Sequence, residues 1–207
     1  MSITLIREDE SLIAVDKPAG LLAVPGRGPD KQDCLLTQVL ARWSDARVVH
    51  RLDMATSGLM LFARGLQMQR ILSRAFAERQ VDKQYVAVVD GRLADARGRI
   101  DLPLAADWPR RPLQRVDAVA GRTASTGWQL LDQHESAARL MLQPHTGRTH
   151  QLRVHLAAIG HPILGDALYA SPEVQARAPR LLLHAEALTL AHPATGAPLA
   201  LRCPAPF

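Results

Sequence analysis

Asp53 is the carboxylate whose setting in the chain best fits catalytic chemistry. It ends the segment His50-Arg51-Leu52-Asp53, and a run of small residues follows it up to Gly58. Loop positions beside strands often carry functional side chains. The ordinary alternative is an Asp that hydrogen-bonds the backbone of its own turn, which is common next to Thr, Ser and Gly. The segment therefore marks Asp53 as a candidate catalytic residue and leaves that structural alternative open.

A second segment concentrates basic side chains near a predicted helix start. Residues 145–155 include Arg148 and Arg153, and a helix is predicted over residues 150–159, closed by Gly160. Helix N-termini and guanidinium groups both favour anions, so a phosphate or a carboxylate is the expected partner. A solvated basic helix face is the alternative interpretation.

Metal and nucleotide chemistry lack their usual motifs. The chain has no GxxxxGK followed by Ser or Thr, no GxGxxG after a strand, no GxSxG and no HExxH. His145, His150 and His155 are five residues apart, which places them on different faces of a helix or strand, so a shared metal is not expected. His184-Ala185-Glu186 resembles the start of a zinc deaminase signature. That site also needs Pro-Cys-x-x-Cys, and no second cysteine lies near Cys203.

Composition sets the outer limits on the class of protein. The 207 residues are 47% hydrophobic and 22% charged, which is typical of a globular chain with a real core. A net charge of +5 favours a polyanionic partner, whereas 4% aromatic residues argue against a platform of many exposed rings. Two cysteines exclude a disulfide scaffold. No apolar run is long enough to cross a bilayer and no signal pattern is present, so we expect a cytoplasmic protein without a membrane partner.

Elements that would position these side chains follow from the hydrophobic pattern. Strands are predicted at residues 3–6, 12–15, 48–49, 59–63, 84–89, 123–131, 137–142 and 181–190. Helices are predicted from about 35 to 43, capped by Asp33, and over 65–79. Residues 17–20 and 25–29 are predicted loops, and residues 91–121 an irregular excursion. The mixture, without strict alternation, indicates an α+β fold with a mixed, mostly antiparallel sheet flanked by helices.

Taken together, these segments carry a resemblance to a known family. His50-Arg51-Leu52-Asp53-Met-Ala-Thr-Ser-Gly58 resembles the active-site motif of the RluA family of RNA pseudouridine synthases. The family's other landmarks follow in order: Lys17-Pro18-Ala19-Gly20-Leu21, with Asp16 in place of the usual Asn, then Lys83-Gln-Tyr85-Val-Ala87, residues 146–155, residues 160–166, Leu183-His-Ala185 and His192-Pro193. The resemblance spans nearly the whole chain.

That resemblance implies a reaction and assigns roles. Uridine in RNA becomes pseudouridine, and nothing is consumed, so no cofactor and no metal is required. The resemblance makes Asp53 the essential carboxylate, acting either as a nucleophile or as a base that removes a sugar proton. Arg153 matches the cation that keeps the carboxylate ionised, and Tyr85 the tyrosine of the uracil pocket. Leu183 matches an apolar pocket position, and a strand core residue remains its equally plausible interpretation.

Further RNA contacts are expected around these residues. Because a stacked uridine must be flipped out of the RNA, the family's arginine at Arg51 can fill the vacated space. The remaining substrate-binding candidates are basic side chains: His50, Arg148, Arg110 and Arg111. The resemblance implies that the substrates are stem-loops of tRNA, modified at uridine 32, and of 23S rRNA, modified at uridine 746.

The expected organisation is one catalytic domain over residues 1–207 that acts as a monomer. No room is expected for the N-terminal S4-type RNA-binding domain of many relatives, because core strands begin near residue 3. Two alternatives stay open at this point. One is a synthase of the same family with a different rRNA or tRNA target, and the other is a non-catalytic RNA-binding or chaperone protein that has kept the fold.

Overall fold

The computed structural model describes residues 3–26, 28 and 32–207 and divides the chain into two compact units. The first unit comprises Met1–Lys83 and His184–Pro206, and the second comprises Gln84–Leu183 and Phe207. Arg27 and Pro29, within the predicted loop over 25–29, lie outside the described residues. Within the described part of the chain, no helix combines the length and apolar character needed to span a membrane.

The chain combines strands and helices. They are β1 Thr4–Glu8, β2 Leu12–Lys17, α1 Leu35–Arg42, β3 Ala46–Val48, β4 Ser57–Arg64, α2 Gly65–Ala77, β5 Asp82–Asp90, β6 Arg97–Ile100, β7 Leu104–Ala106, a 3-10 turn Trp108–Arg110, β8 Gln114–Val116, β9 Thr126–Gln133, β10 Ala137–Pro144, α3 Gln151–Ala158, α4 Pro172–Ala176, β11 Leu183–Ala191 and β12 Pro198–Arg202. This mixture of strands and short helices confirms the predicted α+β class.

Strand β4 is the centre of the first unit. It pairs with β2 in antiparallel fashion along one edge, whereas its other edge pairs first with β11, in parallel, and then with β3. Residues 59–63 are completely buried, which explains why this strand reads as a continuous apolar run. Helix α2 places Leu72 on the same core as Leu59 and Leu61, as its helical spacing predicted.

Gly58 allows β4 and β11 to approach each other closely. Its φ is +112°, and a Cβ at this position would lie 2.3 Å from the carbonyl oxygen of Ala185. No side chain fits there without movement of one of the two backbones. The same glycine closes the segment that carries Asp53, so the packing of β4 on β11 also fixes the end of that segment.

Replacing Gly58 by Ala is expected to lower the free energy of unfolding by at least about 3 kcal/mol, since backbone strain and overpacking add. Gly196→Ala is the matched control, because Gly196 also has a positive φ, +71°, but has open space around its Cβ position. The control should cost about 1–2 kcal/mol. Denaturant unfolding of both variants checks this, and equal losses would contradict the close-approach explanation.

Strands β5, β10, β9 and β6 form the antiparallel sheet of the second unit, in that order. The predicted irregular excursion over residues 91–121 is wrong in part, because it contains β6, the paired strands β7 and β8, and the 3-10 turn. These pieces are three or four residues long. They are too short for a hydrophobic period to reveal them.

Three further details differ from the sequence-based expectations. Helix α1 begins after Cys34 and has no side-chain cap, so the predicted Asp33 cap is wrong. The Asp33 carboxylate instead accepts a hydrogen bond from the Gln38 side-chain amide at 3.1 Å. Strand β12 and helix α4 were not predicted, since each is only five residues long. The other predicted strands and helices are present, with ends that shift by a few residues.

Candidate active site

Asp53 lies in the loop between β3 and β4. Its backbone carbonyl accepts a hydrogen bond from the Thr56 N–H at 3.1 Å, which closes a tight turn. Leu52 and Thr56 are buried on either side of it, whereas Arg51 and Met54 are exposed and Asp53 is partly buried. The turn is therefore anchored at both ends, and its carboxylate lies at the edge of the core.

Lys17, at the end of β2, fastens this turn to the neighbouring loop. Its side chain is completely buried, and its ammonium donates hydrogen bonds to the carbonyls of Pro18 (2.8 Å), Leu21 (2.8 Å) and Met54 (3.1 Å). The Met54 carbonyl also accepts from the Gly20 N–H at 2.8 Å. An ammonium has three donors, so these three carbonyls use all of them. Lys17 thus holds the residue next to Asp53 in place.

Lys17 was not among the site residues predicted from the sequence. The available signal was a lysine two positions after Val15, the last of the four apolar residues that begin β2, in a strand that is otherwise mostly buried. Burial lowers the pKa of the Lys17 ammonium to about 8, and the Asp53 and Asp16 carboxylates act in the opposite direction. Lys17 is therefore a positive charge held within the electrostatic reach of Asp53.

Lys17 leads to a prediction about pH. The pKa of Lys17 is about 8 in the folded protein and about 10.4, the ordinary lysine value, in the unfolded chain. Between about pH 8 and about pH 10.4, Lys17 is therefore neutral when folded and charged when unfolded, so unfolding takes up a proton. The contribution of Lys17 to stability therefore rises with pH across this window and is lost as pH falls through the folded value. The stability of the wild type relative to Lys17→Met should increase by about 1 kcal/mol per pH unit there. Urea unfolding at several pH values measures the difference, and a constant difference would contradict the assignment.

His50 contacts strand β4 and helix α2. Its Nε2 accepts a hydrogen bond from the Leu61 N–H at 2.9 Å, and its ring stacks on Phe76 with centroids 4.5 Å apart. Burial, together with the charge of Lys83, lowers the pKa of His50 to about 3, so the imidazole is neutral. These contacts join the His50 ring to β4 and α2. A contact with substrate stays a prediction.

A buried polar chain ties β4 to β11 and the C-terminal segment. The His184 Nε2–H donates to the Cys203 carbonyl at 2.9 Å, which leaves Nδ1 to accept from the Ser57 hydroxyl at 2.8 Å. Asp16, His184 and Cys203 have ligand-type atoms within 4.8 Å of one another. Because both ring nitrogens bond within the protein and burial raises the pKa of the Cys203 thiol to about 12, these residues fit a structural network better than a metal centre.

Arg153 lies on α3 in the second unit and forms a buried ion pair. Its Nε and Nη2 donate to the two carboxylate oxygens of Asp166 at 2.8 and 2.6 Å. Arg153 is 4% exposed and Asp166 is fully buried. Asp166 also accepts from the backbone N–H groups of Leu168 and Tyr169, at 2.9 and 3.2 Å. Two of the five guanidinium N–H groups therefore fix the orientation of the Arg153 side chain. Asp166 was not predicted from the sequence as the partner of Arg153.

The start of α3 is organised by Gln151. Its side-chain carbonyl accepts from the Thr146 hydroxyl (2.7 Å) and the Arg148 N–H (3.0 Å), and its amide donates to the Ser125 carbonyl and the Thr126 hydroxyl, both at 3.0 Å. All four bonds available to this buried amide are made. The Arg148 side chain donates to the Thr123 carbonyl at 3.1 Å. The hydrogen bonds of Gln151 therefore fix the start of α3, the helix that carries Arg153.

The other predicted site residues lie at the following places. Tyr85 is partly buried on β5, opposite Leu142 of β10. Leu183 is buried at the first position of β11. Arg110 and Arg111 are exposed at the end of the 3-10 turn. The first unit thus places Lys17 within electrostatic reach of Asp53 and also holds His50, and the second unit holds Arg153, Arg148 and Tyr85.

Comparison with known proteins identifies the family of the chain. A family model described as RNA pseudouridylate synthase matches residues 11–158, so the chain belongs to the RNA pseudouridylate synthase family. A relative from Escherichia coli strain K12, the dual-specificity RNA pseudouridine synthase RluA, is 48% identical over 206 residues, covering 99% of this chain and 94% of that protein. The protein of the same name from Yersinia pestis is 47% identical over 204 residues, covering 98% of this chain and 99% of that protein.

The fold comparison agrees with this family. The structure of human RNA Pseudouridylate Synthase Domain Containing 1 superposes with a TM-score of 0.84 at 27% identity, covering 100% of this chain and 84% of that one. The protein is an RNA pseudouridine synthase, an isomerase that converts uridine in RNA to pseudouridine. This confirms the activity and the RNA substrate that the sequence resemblance implied.

Proposed function

We propose that the protein modifies two kinds of RNA, the anticodon stem-loop of tRNA at uridine 32 and a hairpin of 23S rRNA at uridine 746. The single observation that supports this is the near full-length identity of 48% to a relative whose name states dual specificity. Such similarity over 99% of the chain includes the surface outside the catalytic motifs. One surface can serve two RNAs if both loops deform into one shape, since weakly stacked bases cost least to flip.

We further propose that residues 1–207 act together as one catalytic domain and as a monomer in the cytoplasm, where these RNAs are found, with no membrane partner. Asp53 belongs to the first unit, and Tyr85 and Arg153 belong to the second. Loss of activity on substitution of Asp53 and, separately, of Arg153 would support a reaction that depends on both residues.

The proposed chemistry conserves all atoms. The bond from ribose C1′ to uracil N1 breaks, the base turns, and a bond from C1′ to C5 forms, while C5 loses a proton and N1 gains one. An ionised carboxylate at Asp53 can attack as a nucleophile, or it can remove a sugar proton to give a glycal. Both routes need the Asp53 carboxylate in a fixed place. The hydrogen bond from the Lys17 ammonium to the carbonyl of Met54, the residue after Asp53, helps to fix it.

Roles for the remaining site residues rest on the resemblance. Arg153 is the cation that the resemblance assigns to act with Asp53, and the bidentate bond to Asp166 fixes the orientation of its guanidinium. Tyr85 stacks on the uracil and assists proton removal at C5, and Leu183 gives an apolar wall. Arg51 fills the space that the flipped uridine leaves. His50, Arg148, Arg110 and Arg111 serve RNA binding, and for His50 the bond to Leu61 favours an indirect, positioning role.

The test uses isolated hairpins. Single-turnover modification of a tRNA anticodon stem-loop and of the 23S hairpin should proceed within about tenfold of the intact RNAs, a difference of about 1.4 kcal/mol. Arg51→Ala should slow both hairpins, whereas Arg47→Ala, another exposed arginine of the first unit, should slow neither. Dual specificity is wrong if neither hairpin reacts while intact ribosomal RNA does. That outcome would favour a family member with a different target.

A further inference from the structure

The protein exposes one of its three tryptophans. Trp43 is 5% exposed and donates its indole N–H to Glu8 at 2.8 Å, and Trp128 is partly buried and covers Gly98. Trp108, in contrast, is 67% exposed at the start of the 3-10 turn. Burying an indole stabilises a folded protein, and this stabilisation is lost when the ring is exposed to water. An exposed tryptophan on an ordered turn therefore favours a binding role, in which a partner covers the ring.

The turn that carries Trp108 is held by its own hydrogen bonds. The Asp107 N–H donates to the Leu113 carbonyl at 2.9 Å, and the Arg110 and Leu113 N–H groups donate to the Asp107 and Arg110 carbonyls at 3.0 Å. The Asp107 side chain is buried and accepts from the Arg110 Nε at 2.8 Å. Trp108 therefore stands on a support that is already fixed before any partner binds, which reduces the entropy cost of using it.

Arg111 covers one face of the indole. Its guanidinium carbon lies 3.5 Å from the ring centroid, within stacking distance. Since the residue remains 67% exposed with one face covered, the opposite face is accessible to solvent. The result is a two-layer stack, a cation under an aromatic ring, with an open outer surface.

The surroundings select the chemical class of partner. Residues 107–122 contain four arginines and two aspartates, a net charge of +2. Both aspartates pair with arginines, Asp107 with Arg110 and Asp117 with Arg115. A flat π surface beside positive charge suits a nucleobase attached to a phosphate backbone, because every base has a face that can stack. An acyl chain or an apolar protein surface would gain nothing from these charges.

We propose that Trp108, backed by Arg111, is a stacking site for an unpaired nucleobase of the substrate RNA, separate from the uridine that reacts. This proposal rests on the proposed function and gives it a recognition element. The proposal also revises the role expected for Arg111. Its guanidinium stacks on Trp108 and supports the ring, more than it contacts a phosphate of the RNA. A single ring of this kind is consistent with the low aromatic content of the chain.

Fluorescence gives a direct test, with the Asp53→Asn protein as the background so that RNA binds without turnover. Titration with the anticodon stem-loop should quench tryptophan emission, because a stacked base contacts the exposed indole. Trp108→Phe in the same background should abolish the quench while Trp43 and Trp128 still emit. A quench of undiminished size in the Trp108→Phe protein would overturn the proposal.

Binding of the same RNA gives a second, independent readout. Trp108→Ala should weaken affinity about 5- to 100-fold, and Trp108→Phe, which keeps an aromatic face, should stay within about threefold of the parent. Stacking releases no counterions, so the slope of log affinity against log salt should not change in Trp108→Ala. Arg110→Ala with Arg115→Ala should flatten that slope. Val119→Ala, at a residue of the same segment that is 98% exposed, is the matched control and should bind normally.

Different results would overturn the proposed function and the stacking site at Trp108. If wild-type protein forms no pseudouridine in the stem-loop, the proposed function fails. If wild-type protein modifies the stem-loop but Trp108→Ala binds it with unchanged affinity, only the stacking site is overturned. At RNA concentrations below saturation the rate of Trp108→Ala should fall in step with its weaker binding, because stacking contributes to affinity.

Discussion

Replacing Asp53 by Asn is expected to abolish pseudouridine formation. The amide keeps the shape of the carboxylate but can neither attack ribose nor accept a sugar proton. The loss should exceed about 10⁴-fold in the single-turnover rate, which is more than about 5 kcal/mol of barrier. Conversion of uridine to pseudouridine in a radiolabelled stem-loop measures it.

Binding and folding should survive the Asp53 change. Asp53 is partly buried in a turn whose ends are anchored by Leu52 and Thr56, and the amide can occupy the same space. RNA affinity should therefore stay near the wild-type value. Asp33→Asn, at an exposed carboxylate of the same unit, should be fully active. Activity of Asp53→Asn within about tenfold of wild type, about 1.4 kcal/mol, would contradict an essential carboxylate.

Replacing Arg153 by Leu is expected to affect both stability and activity. Asp166 is fully buried, and without the guanidinium its charge has no compensating cation. Breaking a buried pair from one side costs about 3–5 kcal/mol of stability. Activity should also collapse, because the reaction loses the guanidinium that we propose acts with the Asp53 carboxylate.

Two further variants separate the structural effect from the catalytic one. Arg153→Lys keeps the charge but cannot reproduce the planar fork that binds both oxygens of Asp166, so it should recover stability and activity only in part. Asp166→Asn keeps Arg153 and disturbs only its orientation, so its activity loss should be smaller than that of Arg153→Leu. Rates are normalised to the folded fraction. A folded, fully active Arg153→Leu protein would refute the catalytic role of Arg153.

Elements with a clear hydrophobic period were predictable from the sequence. Helix α2 and the buried strand β4 are present where their patterns placed them, and the class of fold is confirmed. The short pieces β6, β7 and β8 were not predictable, because three or four residues are too few to show a hydrophobic period. The Asp33 cap failed because its carboxylate accepts a hydrogen bond from the Gln38 side chain and does not cap the helix.

In the candidate site, too, residues that stand out within their own segment were predictable, whereas residues that act through contacts distant in sequence were not. Asp53 and Arg153 stood out because their segments have recognisable residue types and spacing. Lys17 and Gln151 did not, although each makes several bonds that hold those segments in place. Their function depends on carbonyls and hydroxyls brought close by folding, such as the Met54 carbonyl, 37 positions from Lys17. No local pattern reports such contacts.

Mapping of pseudouridine at single-nucleotide resolution in cells that lack this protein tests the proposal that it modifies both RNAs by means of Asp53. tRNA and 23S rRNA from the deleted strain would be compared with RNA from the same strain carrying the wild-type gene or the Asp53→Asn gene. We expect uridine 32 of tRNA and uridine 746 of 23S rRNA to be unmodified in the deletion, restored by the wild type and not by Asp53→Asn. Restoration of pseudouridine by the Asp53→Asn protein, or no change at any uridine on deletion, would contradict it.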